Sequence, residues 1–298
     1  MILILCWIVL LVLDLAVSGI IRAVAGVSFK RAFLWGLLSL LLPPGAILYG
    51  SLIERNTFRV KKIELAYENM PEGFRDYRIV HISDIHARSF SKREKSLQRA
   101  VDKINALDPD MIAFTGDLIT MTPDELDPIS AVLSSMKARD GVFSVLGNHD
   151  YCMYSDMSQT EKQKCLEDLI IKEREMGWDL ILNEHRIVRK GKDSIAVIGV
   201  ENTSPSRHFP SRGDLNKASE GTEGMFRLLL SHDPMHWEAE IIGKDYPLTL
   251  SGHTHAMQVS LFGWSPSSLI FKQHKGLGET IFPARIGARP EITLITLK

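Results

Sequence analysis

The apolar positions of this 298-residue chain change texture twice along its length. Residues 1 to 13, "MILILCWIVLLVL", carry no charge, and beyond Asp14 the apolar run resumes through Ile21. A second run, "AFLWGLLSLLLPPGAILYGSLI", fills 32 to 53. A membrane-spanning helix needs about 20 mostly apolar residues, and both runs come close. The pattern predicts a membrane anchor over residues 1–54, built of two segments at about 2–21 and 33–53. Asp14 interrupts the first segment and Pro43-Pro44 the second. A cleaved signal peptide competes for the first run, but such peptides carry a positive n-region that is missing here. A buried hairpin of a soluble protein fits poorly, because few residues suit a water-facing side. The basic flanks do not settle orientation: Arg22, Lys30 and Arg31 claim one side and Arg55, Arg59, Lys61 and Lys62 the other.

From residue 55 to 298 the texture is that of a water-soluble domain. "FRVKKIELAY" (58–67) alternates as a half-buried strand does. "YRIVHI", "DMIAFT", "GVFSVL", "SIAVIGV", "FRLLLS", "LTLS" and the closing "EITLITL" are short apolar runs bounded by turn residues, the signature of strands covered on both faces. Between them lie helical stripes. Leu97, Val101, Ile104 and Leu107 line one face of 91–107; Ile129, Val132, Leu133 and Met136 do so over 127–137; Leu166, Leu169 and Ile170 do so over 160–175. "TPDE" before the second of these reads as a capped turn or a helix start. Strand and helix alternate, which predicts an α/β layer structure. The polar stretch 204–224 reads as a loop bordering the functional edge.

Charge and cysteine narrow the function. The 35 basic and 36 acidic residues leave a net charge of -1, so no global field draws nucleic acid and none is expected as a partner. Cys6, Cys152 and Cys165 match neither a disulfide framework nor a zinc-finger spacing, and all three read as free thiols.

The polar residues that end the apolar runs carry the chemistry. Five runs lead in turn into Asp84-Ile85-His86, Gly116-Asp117, Gly147-Asn148-His149-Asp150, His232-Asp233-Pro234 and Gly252-His253-Thr254-His255. In open α/β sheets functional groups gather outside the carboxyl ends of strands, so these clusters are expected to converge. Side chains at i and i+2 of an extended segment share a face. Asp84 with His86, and His253 with His255, then reach one point together, while Gly116, Gly147 and Gly252 allow sharp turns. A lone D-x-H or H-x-H is weak, since a solvated turn explains it; five at one sheet edge are not independent accidents. Carboxylate, imidazole and amide donors without thiolate suit Mn, Fe or Zn.

The order D-x-H, G-D, G-N-H-D, H and G-H-x-H resembles the calcineurin-like metallophosphoesterases over residues 75–256. The closing "RPEITLITL" is also similar to the membrane-anchored bacterial branch, some members of which resemble UDP-2,3-diacylglucosamine pyrophosphatases. The resemblance implies a four-layer α/β/β/α sandwich with two divalent metals bridged by Asp117. It implies Asp84, His86 and His255 on the first metal, and Asn148, His232 and His253 on the second. A water or hydroxide between the metals would be the nucleophile, activated by ions that also neutralise phosphate charge. His149 would stabilise or protonate the leaving oxygen. Asp150 either orients His149 or caps the next turn.

Two departures stand out. Relatives often carry an acid three residues after the bridging aspartate, where this chain has Thr120. The stretch from Ala256 to Arg289 leaves little room for a strand that relatives place there. "SLFGWSPSSLIF" (260–271) offers Phe262, Trp264, Leu269 and Phe271, as core or as an apolar lip for a lipid chain. Arg88, Lys92 and Arg93 read as a solvated helix start or as phosphate contacts. The expectation is a hydrolase anchored in the inner, cytoplasmic membrane that cleaves a phosphodiester or pyrophosphate bond of a lipid- or nucleotide-linked substrate. The alternative is a non-catalytic, metal-stabilised binding or scaffold domain.

Overall fold

A computed structural model describes residues 2–260, 274–280 and 282–298. The N-terminal part is a hairpin of two apolar rods. One is α1 (Ile2–Ala25). The other joins α2 (Phe29–Gly36), a 3-10 stretch Leu37–Leu41, α3 (Leu42–Leu52) and a final 3-10 turn, Glu54–Asn56. By length and composition both rods suffice to cross a membrane, at 22 residues for Ile4–Ala25 and 28 for Phe29–Asn56. The two interruptions seen in the sequence have local causes. Pro43 and Pro44 lie in the first turn of α3, where no backbone N–H is needed. Asp14 points at the partner rod, accepts from Ser18 Oγ at 3.3 Å, and fits because Gly36 has no side chain. A Cβ at Gly36 would lie 1.5 Å from Asp14 Oδ1.

The rest of the chain is built on two sheets. Strands β1 (Arg59–Leu65), β2 (Arg78–Ile82), β3 (Met111–Phe114), β4 (Val142–Ser144), β5 (Asp179–Leu180) and β10 (Glu291–Leu297) form one sheet in the order β1-β10-β2-β3-β4-β5. Strands β6 (Glu184–Lys190), β7 (Asp193–Gly199), β8 (Phe226–Leu230) and β9 (Leu248–Leu250) form the other in chain order. β2, β3, β4 and β5 are parallel, as are β7, β8 and β9. β10 lies antiparallel to β2 and parallel to β1. Alternation along each strand sorts the layers. Ile79, Met111, Ala113, Phe143 and Ile295 meet Ile195, Val197, Leu228, Leu230 and Leu250 between the sheets. Val80, Ile82, Ile112 and Phe114 face outward onto Leu97, Val101 and Ile104 of α4 (Glu94–Ala106) and Leu166 and Leu169 of α6 (Gln159–Glu175). Ala196, Ile198 and Leu229 pack outward on Leu215 and Ala218 of α7 (Leu215–Ser219). Helix, sheet, sheet and helix make the expected four layers.

Some local expectations fail for physical reasons. The helix expected over 127–137 is one turn, α5 (Ser130–Leu133), where Ser135 Oγ bonds back to the Val132 carbonyl and competes with the helix. "TPDE" supplies a 3-10 turn, Pro123–Leu126. Strand β6 has no expectation behind it: it is an edge strand with only Val188 buried, so its pattern is mostly polar. The polar stretch 204–224 contains α7, which Asp214 caps through Lys217 N.

The free-thiol reading of Cys152 and Cys165 is wrong; they form a disulfide, and Cys6 alone is free among the described residues. Ser158 and Glu161 close a capping box that starts α6, which turns back so that Cys165, on its buried face, meets Cys152. Between β9 and β10, among the described residues, only the isolated bridge Val259–Ile286 joins a ladder, in keeping with the short space noted there. Phe262, Trp264, Leu269 and Phe271 lie outside the described residues.

Candidate metal centre

The five polar clusters do converge. Asp84, His86, Asp117 and His255 bring one donor atom each within 4.8 Å of one another, and Asp117, His232 and His253 form a second group of the same span. Asp117 is common to both. His86 Nε2 lies 3.6 Å from Asp117 Oδ2 and His232 Nε2 lies 3.2 Å from the same oxygen. His255 Nε2 is 3.2 Å from Asp84 Oδ1 and 2.9 Å from His86 Nε2; His253 Nδ1 is 3.2 Å from His232 Nε2.

The backbone reaches this arrangement by a route the i, i+2 argument did not foresee. Asp84, His86, Asp117, His253 and His255 all have left-handed φ, at 53°, 44°, 59°, 71° and 49°. Alternating turns, not extended segments, bring each pair to one point. Such conformations cost on the order of 1–3 kcal/mol each in a non-glycine residue and persist only where surroundings enforce them. The enforcement is visible: Asp84 N donates to the Gly116 carbonyl, His86 N to the Asp117 carbonyl, and His253 N to both Asp84 carboxylate oxygens. Gly116 does adopt positive φ, but Gly147 and Gly252 serve close approach instead. A Cβ at Gly147 would stand 2.2 Å from Asp117 Oδ1, and one at Gly252 2.5 Å from Asp84 Oδ2.

Asp150 neither touches the His149 ring nor merely caps a turn. Its carboxylate accepts from the N–H groups of Asp117, Leu118, Ile119 and Gly147 at 2.8–3.1 Å, locking two of the converging loops together. Burial and the Asp117 charge push its pKa up to about 7, against the pull of the Gly147 and Ile119 N–H donors. His149 instead donates Nδ1–H to the Thr120 carbonyl at 2.8 Å, which leaves Nε2 free to exchange a proton. A backbone carbonyl at Thr120 thus orients this ring, although the position lacks an acid.

Burial and neighbouring charge pull the titratable groups of the two clusters in opposite directions. Burial alone would strip His232 of a proton, yet the Asp117 and Asp84 carboxylates hold it up at about 10. Despite burial, the surrounding imidazoles keep Asp84 and Asp117 well below the usual carboxylate range. Burial and the neighbouring His255 push His86 well down, so it presents a neutral ring. His232 Nδ1–H donates to the Thr115 carbonyl, which turns Nε2 toward Asp117. Asn148 completes the picture: its Nδ2 donates to Tyr154 Oη at 3.0 Å, and its Oδ1 is buried with no hydrogen-bond partner. A buried amide oxygen without a donor is costly unless something else satisfies it. Six donor residues in two groups, the orphan Asn148 oxygen and no thiolate fit a pair of divalent ions.

Two rings beside the site escaped the sequence reading. The Tyr154 ring lies 4.2 Å from His149, and Phe209, from the 204–224 stretch, packs edge-on against His253 at 4.8 Å. Neither carries a pattern signal, because single aromatic residues in turns have no periodicity. Arg93, read as solvated or as a phosphate contact, is committed elsewhere: it pairs with Glu279 at 3.0 Å and bonds Asn56 and the Arg55 carbonyl.

A family profile described as "Calcineurin-like phosphoesterase" matches residues 77–257. A Danio rerio "Transmembrane protein with metallophosphoesterase domain" is 31% identical over 301 residues, covering 93% of this chain and 65% of that protein. Metallophosphoesterase YkuE of Bacillus subtilis is 29% identical over 297 residues, covering 90% of this chain and 97% of that protein. The UDP-2,3-diacylglucosamine pyrophosphatase LpxG of Chlamydia trachomatis is 28% identical over 253 residues, covering 70% and 72% respectively.

Proposed function

The chain belongs to the calcineurin-like phosphoesterase family of metal-dependent hydrolases, and from that premise we propose that it is a membrane-anchored, dinuclear-metal phosphodiesterase or pyrophosphatase acting on a lipid- or nucleotide-linked substrate in the cytoplasmic membrane. The observation that carries this reading is the sharing of Asp117 between the two donor groups. Asp84, His86 and His255 would hold one ion, and Asn148 Oδ1, His232 and His253 the other, with Mn, Fe or Zn suited to these donors. Bound there, the ions lower the pKa of a water and neutralise charge on the phosphate oxygens.

The chain's own residues supply the remainder. Asp150 fixes the spacing of the Asp117 and Asn148 loops through its four N–H bonds. His149, with Nδ1–H held on Thr120, can deliver or accept a proton at Nε2 as the leaving oxygen departs. Tyr154 and Phe209 wall the site with aromatic surface beside His149 and His253. The two apolar rods and the likeness to transmembrane proteins support membrane attachment, and the likeness to a diacylglucosamine pyrophosphatase supports a lipid-linked substrate.

The test is made on the full chain in detergent, because Gly50 and Glu54 pack against residues 285–289 and truncation at 54 would cut into that contact. Stripped of metal and resupplied with Mn, it should hydrolyse bis-p-nitrophenyl phosphate in preference to p-nitrophenyl phosphate. Asp117→Asn should abolish both metal pairing and turnover. A folded chain that binds two ions yet cleaves neither compound would replace this reading with a metal-stabilised binding domain.

A further inference from the structure

Beside the metal centre, at the end of α3, lies a second feature with its own chemistry. A cleft of about 380 Å³ is lined by Arg55, Arg88, Lys92, Thr120, Phe282 and Pro283 among others. Arg93 and Glu279 also border it, but they neutralise each other in an ion pair. That leaves three cations lining one opening; the nearby Glu125 carboxylate is taken up by the backbone N–H groups of Arg88, Thr120 and Met121 rather than by the cationic side chains. Among the described residues the Arg88 and Lys92 side chains are exposed and have no hydrogen bond or ion pair. Arg55 spends one N–H on the Pro283 carbonyl at 2.8 Å, while its Nε is buried without a partner. Thr120 Oγ1, on the same wall, is buried and unpartnered too. Unpaired donors and unmatched positive charge in one cleft suit an oxyanion, and guanidinium forks match phosphate oxygens in particular.

The cleft adjoins the metal centre without being part of it. Arg88 stands two residues beyond His86, and Thr120 is the residue whose carbonyl holds His149. On the other side, Arg55 lies in the final turn of the apolar rod, which ends at Asn56. An anion here would sit between the metal donors and the end of that rod. We propose that this cleft binds a phosphate group of the substrate other than the one attacked, so that the substrate class is a compound carrying two phosphates, gripped at the membrane end of the site. The inference rests on the phosphoesterase reading above. Arg55, Arg88 and Lys92 are its ligands, and Phe282 and Pro283 form an apolar wall beside the phosphate.

The test avoids turnover. Inorganic pyrophosphate is titrated calorimetrically into the metal-free full chain in neutral detergent, where the carboxylates of the empty metal groups repel anions. Saturable binding is expected. It should weaken at least tenfold in the double variant Arg88→Ala/Lys92→Ala and decline with added salt, as screening requires. Both side chains are exposed, so the variant should melt as the parent does. Absence of saturable binding, or equal binding by the variant, overturns the proposal. Dihexanoyl phosphatidate, titrated below its micelle threshold against inorganic phosphate, identifies the source: tighter binding marks a lipid phosphate, equal binding a soluble one. A chain that cleaves the diester with Mn but binds no anion metal-free fails only this inference. A chain that binds the anion yet stays inert with Mn fails only the catalytic reading.

Discussion

The two donor groups of the metal centre are built differently. The first is walled in: Asp84 and His86 are fully buried and His255 nearly so. Residues 276–280 and 282–289 are laid against it. Leu277 N and Gly278 N bond the carbonyls of Ser83 and Asp84, and the fully buried Arg285 donates to the carbonyls of Gly276, Gly278 and Ala288. Arg285 N and Gly287 N also hold the end of the second apolar rod, through the Gly50 carbonyl and the Glu54 carboxylate. The second group is more open. His253 is half-buried, and its neighbours Tyr154 and Phe209 are single rings from turns. The first group is therefore wired to the scaffold and to the end of the second rod, whereas the second rests on single links: His232 on the Thr115 carbonyl, His253 N on Asp84 and Gly147 N on Asp150, with Cys152, beyond Asn148, stapled to α6.

Removing one imidazole from each side tests whether both groups hold metal. His86→Ala and His253→Ala should each lower Mn stoichiometry from two ions to one, by elemental analysis, and reduce kcat by roughly a hundredfold or more. Retention of two ions by either variant would break the assignment of that group. The wiring of the first group is tested next. A Cβ at Gly278 would lie 1.9 Å from the Ile85 carbonyl oxygen, so Gly278→Ala should destabilise the fold by about 3 kcal/mol, read from denaturant melts. An unchanged melt would show that the segment is not pressed against the Asp84 loop. On the opposite side, Cys152→Ser should cost a similar or slightly smaller amount, about 3 kcal/mol at most for a short closed loop. Non-reducing mass analysis of the parent must first show the two thiols joined.

The most gradual effect, small per pH unit, concerns Glu173 on α6. Its carboxyl is fully buried, with the Ser144 hydroxyl beside it. Burial, helped by the Asp150 charge and opposed by the Ser144 hydroxyl, pushes its pKa up to about 8. The native chain then keeps a proton that the unfolded chain releases near pH 4.5. Stability from this group is fully present below that pH and is lost as pH rises toward 8. Glu173→Gln should flatten this slope, so that the variant gains on the parent by up to about 1 kcal/mol per pH unit between 5 and 8. Parallel melting curves across that range would contradict the buried neutral acid.

Legibility in the sequence followed the range of the interaction. Strands β2, β3, β4, β8 and β9 were readable because their apolar runs end in Gly, Asp and His within a few residues. The seven candidate donors were readable for the same reason, since each stands at the end of such a run. The departures of detail came wherever a partner lies far along the chain. His253 N finds Asp84 across 169 residues, and Glu54 finds Gly287 across 233. Arg93, an apparently solvated cation, is drawn into a pair with Glu279 across 186 residues. The disulfide was missed although only 13 residues separate its cysteines, because the capping box at Ser158 decides where α6 turns back.

By itself, then, the amino-acid sequence determined the alternation of strands and helices, the apolar character of its N-terminal rods and which polar side chains end the apolar runs. These follow from periodicity and local turn formation, which neighbouring residues settle among themselves. Only the tertiary structure decided that five of the seven donors take left-handed backbone, that Asp150 ties loops and leaves the His149 ring to Thr120, and that Arg55, Arg88 and Lys92 face one cleft. Strain, loop locking and unpaired charge are properties of surroundings, and surroundings exist only once distant segments have packed.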